Sequence, residues 1–233
     1  MFVAEGIRTV EELLRSPLTV RGVLVSPALE QAPRGVALRA ALDGRGLEVV
    51  EVDEREFASA ADTESPQGVL AIADVPGREL ADLAVPAGKA FRCLVLDGVQ
   101  DPGNVGTIVR TAAAFGAAAT VALPGTVDVW NAKVVRSAMG ALFVHPVVAA
   151  TWETLDAFRS AHAVALWGAD AGGDPVSDIT RERRVAVVLG NEGNGLGPDA
   201  RARVERLVSI PATHVESLNV AVAAGILLYA LGA

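Results

Sequence analysis

Up to residue 76, short apolar runs alternate with segments in which apolar residues recur every three or four positions. Short apolar runs are typical of strands, and the longer period is typical of amphipathic helices. The pattern predicts, in chain order, a helix at 10–15, a strand at 20–26, a helix at 35–42, a strand at 47–52, a helix at 54–60 and a strand at 68–73. Short connections between alternating elements predict a small α/β domain at residues 1–76.

The alternation resumes after a break rich in proline and glycine, which predicts a linker at residues 77–90. In residues 91–233 the predicted strands lie at 92–97, 119–123, 163–167, 185–189 and 207–210, and the predicted helices at 105–115, 131–140, 152–161, 198–204 and 218–231. Continuously apolar strands are typical of a parallel sheet that is covered on both faces. We therefore expect a second α/β domain whose ligand binds beyond the carboxyl ends of its strands.

Composition limits the chemistry that this chain can support. Of its 233 residues, 51% are hydrophobic and only 4% are aromatic, so a large core forms from Ala, Val and Leu, and base stacking on an aromatic platform is disfavoured. The single cysteine, Cys93, excludes an internal disulfide and a multi-cysteine zinc site. The three histidines lack the spacing of metal ligands, so we expect no metal.

The net charge of −8 argues against strong non-specific binding of nucleic acid. The acidity is uneven, because residues 1–90 have nine Lys/Arg against fifteen Asp/Glu, whereas residues 91–233 have eleven against thirteen. Basic residues at 201, 203 and 206 could contact phosphates or simply face solvent. The first residues lack the basic region followed by an apolar region that is typical of a signal peptide, so we expect none. The apolar segment 220–231 is too short to span a bilayer, and together these features predict a cytoplasmic protein without membrane contact.

Three polar, glycine-containing stretches each follow a predicted strand and lead into a predicted helix. The first stretch is Asp101–Arg110, the second stretch is Leu189–Gly195, and the third stretch is Ile210–Val220, with Ile210-Pro211 at its start and Ser217-Leu-Asn-Val220 at its end. Glycine lets the backbone approach a ligand, and the polar groups can hydrogen-bond it. Three such stretches at one edge of a parallel sheet predict a single composite site.

Taken singly, each stretch has a plainer interpretation. The glycines of the second stretch do not follow the Gly-x-Gly-x-x-Gly spacing, and no basic residue lies among them, which disfavours a dinucleotide or phosphate cradle and leaves a tight turn. A lone arginine such as Arg110 is usually a surface residue. Ser217 and Asn219 could form an N-cap for the last helix.

Together, the three stretches resemble the motifs of the SpoU/TrmH group of the SPOUT superfamily, the S-adenosylmethionine-dependent RNA 2′-O-ribose methyltransferases. Asn104–Arg110 is similar to the first family pattern, Asn-x-Gly-x-x-x-Arg. Leu189–Gly195 is similar to the second, Leu-Gly-x-Glu-Gly-x-Gly. The third stretch is similar to the last, which is Ile-Pro followed by Ser-Leu-Asn-Val. Residues 136–143 also resemble the connecting segment of that family. The third stretch departs from the pattern, because Ala212–Glu216 lacks the usual methionine and glycine and is one residue shorter.

The resemblance implies a parallel sheet with a C-terminal trefoil knot, homodimers, and a cofactor held largely by main-chain groups. The residues that it assigns to S-adenosylmethionine are Leu189, Gly190, Ile210, Leu218 and Asn219. The residues that it assigns to catalysis and orientation are Arg110, Asn104, Glu192, Ser217 and Asn219. A guanidinium stays protonated in proteins, so Arg110 is better suited to stabilise a developing alkoxide or to bind a phosphate than to act as a base.

The first domain also resembles a known module. Glu5–Arg8 and Ser65–Val69 are similar to the L30e-like RNA-binding domain that precedes the catalytic domain in ribosomal-RNA members of the family. This favours ribosomal RNA as the partner over transfer RNA. Transfer-RNA methylation and a non-catalytic knotted RNA-binding protein stay open as alternatives, whereas a nicotinamide-dependent oxidoreductase is disfavoured because the dinucleotide fingerprint is missing.

Overall fold

The computed structural model describes residues 1–180 and 182–232 and divides the chain into two compact units. Unit 1 comprises Met1–Gly77 and Trp130–Val144, and unit 2 comprises Arg78–Val129 and His145–Ala233. The helices are α1 (Ile7–Arg15), α2 (Pro33–Asp43), α3 (Glu54–Ala60), α4 (Pro102–Ala114), α5 (Ala132–Ser137), α6 (Trp152–His162), α7 (Pro198–Arg203) and α8 (Val220–Leu231). The strands are β1 (Phe2–Glu5), β2 (Val20–Val25), β3 (Val49–Glu51), β4 (Val69–Ala73), β5 (Phe91–Leu96), β6 (Ala119–Ala122), β7 (Val147–Ala149), β8 (Ala165–Pro175), β9 (Arg184–Leu189) and β10 (Arg206–Ser209).

Unit 1 contains a four-stranded sheet in the order β1-β4-β2-β3, in which only β2 and β3 are parallel. The two stretches that resemble the RNA-binding module meet at the end of β1. The backbone N–H of Gly6 donates to the carbonyl of Val69 at 3.0 Å, and that of Ile7 donates to Oε1 of Gln67 at 2.9 Å. Glu5 is buried and accepts the backbone N–H of Asp62 at 2.9 Å, so this part of the motif stabilises the fold.

Unit 2 contains a six-stranded sheet in the order β10-β8-β9-β5-β6-β7, and every neighbouring pair is parallel. The strands β5, β6 and β9 are buried almost throughout, as their continuous apolar runs predict. The predicted α/β class with a parallel sheet is confirmed. Because all the strands run the same way, β5, β9 and β10 end at one edge, where the three stretches begin.

Some elements differ from their sequence-based predictions. The short strands β1 and β7 were not predicted, and β8 extends to Pro175 instead of ending at residue 167. The helix predicted at 131–140 covers only Ala132–Ser137, because Met139 and Gly140 both have positive φ and turn the chain. It lies in unit 1, where the ring of Phe2 stacks against Phe143.

The segment predicted as a linker, residues 77–90, forms a short 3₁₀ turn at Leu80–Asp82. Leu80 and Leu83 are buried in the hydrophobic core of unit 2, so the segment packs against that unit. Within the described residues no helix is long and apolar enough to cross a membrane. Those residues also contain no group of three or more His, Cys, Asp or Glu side chains that could hold a metal ion.

Candidate cofactor and active site

A cavity of about 610 Å³ lies at the edge of the unit 2 sheet where β9 and β10 end, beside the middle of β8. Its size lies in the range of small-molecule and cofactor sites. It is lined by all five residues that the family resemblance assigns to the cofactor, namely Leu189, Gly190, Ile210, Leu218 and Asn219. Glu192 and Ser217 line it too, whereas Asn104 and Arg110 do not.

Backbone packing in the second stretch requires glycine at position 190. A Cβ added to Gly190 would lie only 2.2 Å from the carbonyl carbon of Gly195. The loop folds back on itself, with N–H···O bonds of 2.9 Å in both directions between Asn191 and Gly195. The side chain of Asn191 donates to the carbonyl of Gly98 at 2.9 Å and thus ties the loop to the end of β5.

Glu192 connects the second stretch to the first. Its carboxylate accepts the backbone N–H groups of Gln100 at 3.2 Å and Asp101 at 3.0 Å, and the side-chain amide of Asn104 at 3.1 Å. Asp101 is the N-cap residue of α4, because its side chain accepts the backbone N–H of Asn104 at 2.7 Å. The carboxylate therefore holds the start of α4 against the glycine loop.

Asn104 connects the first and second stretches to the third stretch. Its Oδ1 accepts the side-chain amide of Asn219 at 2.9 Å. The Oδ1 of Asn219 in turn caps α8 by accepting the backbone N–H groups of Ala221 at 2.9 Å and Val222 at 3.3 Å. One chain of hydrogen bonds, Glu192–Asn104–Asn219, thus joins all three stretches.

The ionisation of Glu192 follows from these contacts. Partial burial would raise the pKa of its carboxyl, but the hydrogen bonds from Asn104 and from the backbone of Asp101 and Gln100 outweigh burial and lower the pKa below its usual value. The group is therefore a carboxylate near neutral pH, and donors already occupy its oxygens. Such a group is suited to fixing geometry and is a poor acceptor for a substrate proton.

Arg110 is exposed on α4, six residues beyond Asn104 and about 9 Å farther along the helix axis. Within the described part of the chain its side chain makes no hydrogen bond or ion pair. This sets it apart from the basic residues near α7, which have partners: Arg203 pairs with Asp156 at 3.0 Å and lies over the ring of Trp152, and Arg206 lies over Trp167. Among the described residues, the guanidinium of Arg110 thus has no hydrogen-bond or ion-pair partner, and it lies outside the cavity of its own chain.

The cavity is also lined by three charged residues that the sequence did not assign to the site: Asp170, Arg201 and Glu216. Asp170 lies in the part of β8 that was not predicted, and it pairs with Arg201 of α7 while accepting the backbone N–H of Gly172 at 2.9 Å. The only available signal was position, because Arg201 belongs to the basic group at 201–206 and Glu216 directly precedes the Ser-Leu-Asn motif.

A second, apolar groove of about 450 Å³ runs along α4 and α8. Its lining residues are Thr107, Thr111, Phe115, Ala221, Val222, Gly225, Ile226 and Tyr229. Tyr229 is 75% exposed and Val222 is 51% exposed, although both lie on an apolar helix whose opposite face is buried by residues such as Ala224 and Leu228. The groove therefore lies on a surface with unpaired apolar area.

Comparison with known proteins assigns both parts of the chain. The SpoU rRNA methylase family model matches residues 92–229, and the model of an MRM3-like substrate-binding domain matches residues 1–71. The chain is similar to the 23S rRNA (guanosine(2553)-2′-O)-methyltransferase RlmP of Bacillus subtilis, with 35% identity over 99% of this chain and 88% of the relative. It is also similar to the 23S rRNA (guanosine-2′-O-)-methyltransferase RlmB of Escherichia coli, with 32% identity over 96% of this chain and 95% of the relative.

Among solved structures, the chain is similar to the SpoU methyltransferase AviRb from Streptomyces viridochromogenes in complex with the cofactor AdoMet. The TM-score is 0.88, with 29% identity, and the match covers 99% of this chain and 88% of that one. An AdoMet-bound rRNA methyltransferase from Sinorhizobium meliloti matches with a TM-score of 0.83 and 30% identity, over 99% of this chain and 86% of that one. These matches confirm the resemblance drawn from the three stretches, and the chain belongs to the SpoU rRNA methylase family, with a substrate-binding domain at its N-terminus.

Proposed function

We propose that this SpoU-family enzyme methylates the 2′-hydroxyl of a ribose in 23S ribosomal RNA, with S-adenosylmethionine as the methyl donor. The observation that supports this most strongly is the hydrogen-bond chain Glu192–Asn104–Asn219, which joins the three family stretches beside a cavity of cofactor size. Relatives that match nearly the whole chain are named as 23S rRNA 2′-O-methyltransferases. A structure concerned with 2′-OH methylation of C/U34 on tRNA matches only 62% of this chain, which favours ribosomal over transfer RNA.

The cavity fits the cofactor on structural grounds. Gly190 lines the cavity, and its missing side chain lets the backbone of Gly195 and Leu196 pack against it and so shapes the glycine loop. Leu189, Ile210 and Leu218 line the cavity as well and would provide main-chain groups and apolar side chains to the cofactor. When bound, S-adenosylmethionine supplies an electrophilic methyl group on a sulfonium. Asn219 would hold the third stretch in place around it, because its side chain is fixed at both ends, by Asn104 and by the start of α8.

The roles of the remaining residues follow from their protonation and contacts. Glu192 accepts three hydrogen bonds and keeps the first and second stretches in register, so we assign it to positioning. The guanidinium of Arg110 has only hydrogen-bond donors, and it would donate to the oxygen that develops negative charge on the ribose, or to the neighbouring phosphate. Ser217 lines the cavity and would orient the bound groups with its hydroxyl.

Arg110 lies outside the cavity of its own chain, which supports a homodimer in which a second copy covers the apolar groove. Thr107 and Thr111, which line that groove, flank Arg110 on α4. A partner that buries the exposed side chains of Val222 and Tyr229 would therefore surround Arg110 with a second protein surface. The trefoil knot of the family stays a prediction for this chain.

The test is methyl transfer by the purified protein to separated 23S ribosomal RNA and transfer RNA, with labelled donor and mapping of the modified nucleotide. Arg110→Ala should lower methyl transfer by about 100-fold or more, because removing one donor from a developing oxyanion has an effect of that order. Donor affinity, measured by calorimetry, should stay within about twofold, since Arg110 does not line the cavity.

The matched control is Arg183→Ala, which removes an exposed arginine at the amino end of β9, away from the site. It should leave both measurements unchanged. Sedimentation of wild-type and Arg110→Ala protein should show the same dimer, so that loss of activity is not loss of assembly. Full activity of Arg110→Ala would remove this residue from the mechanism. Sedimentation of the wild-type protein as a monomer would contradict the proposed dimer. Methylation of transfer RNA alone would contradict the proposed substrate.

A further inference from the structure

Three carboxylates line the cavity, and two of them already have partners. Asp170 pairs with Arg201 and accepts the backbone N–H of Gly172. Glu192 accepts its three hydrogen bonds from the first stretch. The third carboxylate, Glu216, is exposed and makes no hydrogen bond or ion pair within residues 1–180 and 182–232.

The arginine that lines the same cavity is already paired with another carboxylate. Arg201 is the only Lys or Arg among the described residues that line the cavity, and it is held by Asp170. Glu192 also keeps its negative charge, because its three donors are neutral amides, but those donors hold its oxygens against the first stretch. Glu216 therefore contributes the one carboxylate of the cavity wall that has neither a paired cation nor a hydrogen-bond donor among the described residues. It lies in Ala212–Glu216, the segment in which the third stretch departs from the family pattern, and immediately before Ser217.

The donor and the product of the proposed reaction differ in charge at one atom. The donor has a positively charged sulfonium, and transfer of the methyl group breaks the carbon–sulfur bond and leaves its electron pair on sulfur, which becomes a neutral thioether. The methyl group ends on the ribose oxygen, whose proton is released to solvent. The rest of the molecule, with its adenosine and amino-acid parts, is the same before and after transfer.

We propose that Glu216 is a specificity residue that makes the cavity favour the positively charged donor over the neutral product, S-adenosylhomocysteine. This inference rests on the proposed function, because it takes the cofactor of that reaction as the occupant of the cavity. A fixed negative charge attracts the donor and has little effect on the product, so it raises the ratio of the two affinities. The consequence is weaker product inhibition, because the donor competes better for the cavity while the affinity of the product itself is unchanged.

The expected size of the effect is set by exposure. Solvent screens an exposed carboxylate, so a single charge at this position should change the affinity of a cation by about threefold to tenfold at low ionic strength. The effect should shrink as salt is added, because the Debye length falls to about 10 Å at 0.1 M ionic strength.

The experiment is calorimetric binding to the full-length protein, without RNA, of three ligands: S-adenosylmethionine, S-adenosylhomocysteine, and sinefungin, an analogue with a charged amine in place of the methylsulfonium. In Glu216→Gln the dissociation constants of the two cationic ligands should rise about threefold or more, while that of S-adenosylhomocysteine stays within about 1.5-fold. Glu216→Lys should produce a larger change in the same direction. The charge-matched control, Glu182→Gln, removes an exposed carboxylate at the amino end of β9 and should leave all three constants unchanged.

The inference is overturned if Glu216→Gln changes all three constants by the same factor or changes none of them. It is also overturned if Glu182→Gln has the same effect, since net charge would then be the cause. Failure of the proposed function has a different signature, because the wild-type protein would then bind none of the three ligands.

Discussion

Replacement of Gly190 by alanine should disrupt the cofactor cavity, whereas the same change at Gly193 should not. The added Cβ at position 190 would lie 2.2 Å from the carbonyl carbon of Gly195, 2.3 Å from its oxygen and 2.5 Å from the amide nitrogen of Leu196. All three are backbone atoms and cannot turn aside as a flexible side chain would. At position 193 the nearest atom is Oδ1 of Asn191 at 3.6 Å, which is ordinary van der Waals contact.

The size of the perturbation follows from these distances. Ordinary contact begins near 3.4 Å, so the two backbone segments must separate by about 1.2 Å. A shift of that size is enough to break the paired hydrogen bonds of 2.9 Å between Asn191 and Gly195. Overpacking costs about 1–3 kcal/mol, and each lost hydrogen bond about 1 kcal/mol more, so Gly190→Ala should lower the free energy of unfolding by roughly 3–5 kcal/mol.

Urea unfolding measures the stability of wild type, Gly190→Ala and Gly193→Ala, and calorimetry measures their affinity for S-adenosylmethionine. We expect Gly190→Ala to lose both stability and at least tenfold in affinity, because the moved backbone lines the cavity. Gly193→Ala should stay within about 1 kcal/mol of wild type and keep its affinity. Equal behaviour of the two variants would refute the role assigned to the close backbone crossing.

Two further predictions concern the polar groups of unit 2. Asn219→Ala should lower the free energy of unfolding by about 1 kcal/mol, because the cap of α8 is lost. Asn219→Asp keeps the capping oxygen but loses the amide that donates to Asn104, so it should reduce methyl transfer at nearly unchanged stability. Equal activity of Asn219→Asp and wild type would contradict this. Burial, with a smaller contribution from the charge of Arg78, lowers the pKa of His145 to about 4. Because the unfolded chain then binds a proton that the folded chain does not, stability should fall as the pH drops below about 6.5, by about 2 kcal/mol between pH 7 and pH 5. Urea unfolding at both pH values should show this fall in wild type and lose most of it in His145→Gln, and the same fall in both would contradict the assignment.

The elements that could be predicted from sequence are those whose stability is local or whose burial is complete. The strands β5 and β9 are continuous apolar runs, and α6 begins at a Thr with its hydroxyl bonded to the third residue, so periodicity and capping locate them. The missed strands β1 and β7 are only four and three residues long. β1 exists because it pairs with β4, about 70 residues away, and no local signal encodes that pairing.

In the candidate site, the residue types could likewise be predicted from the sequence, but the contacts between them could not. Glycine at 190 and the polar residues Asn104, Glu192 and Asn219 could be selected from sequence, because close approach and hydrogen bonding require those residue types. Their hydrogen bonds could not, since they join positions 88 and 115 residues apart. Whether two such residues meet depends on the order of strands in the sheet, which places β9 beside β5.

The sequence by itself therefore determined the types of most elements, the family, and the residue types that its chemistry needs, because these depend on local periodicity and on spacing within short motifs. Only the tertiary structure decided which of those residues share a cavity. It placed Arg110 outside the cavity of its own chain, and it brought Asp170 and Glu216 into the cavity wall. The physical reason is that a parallel sheet aligns the carboxyl ends of strands that are distant in sequence, so the neighbours of a side chain are set by strand order and loop path.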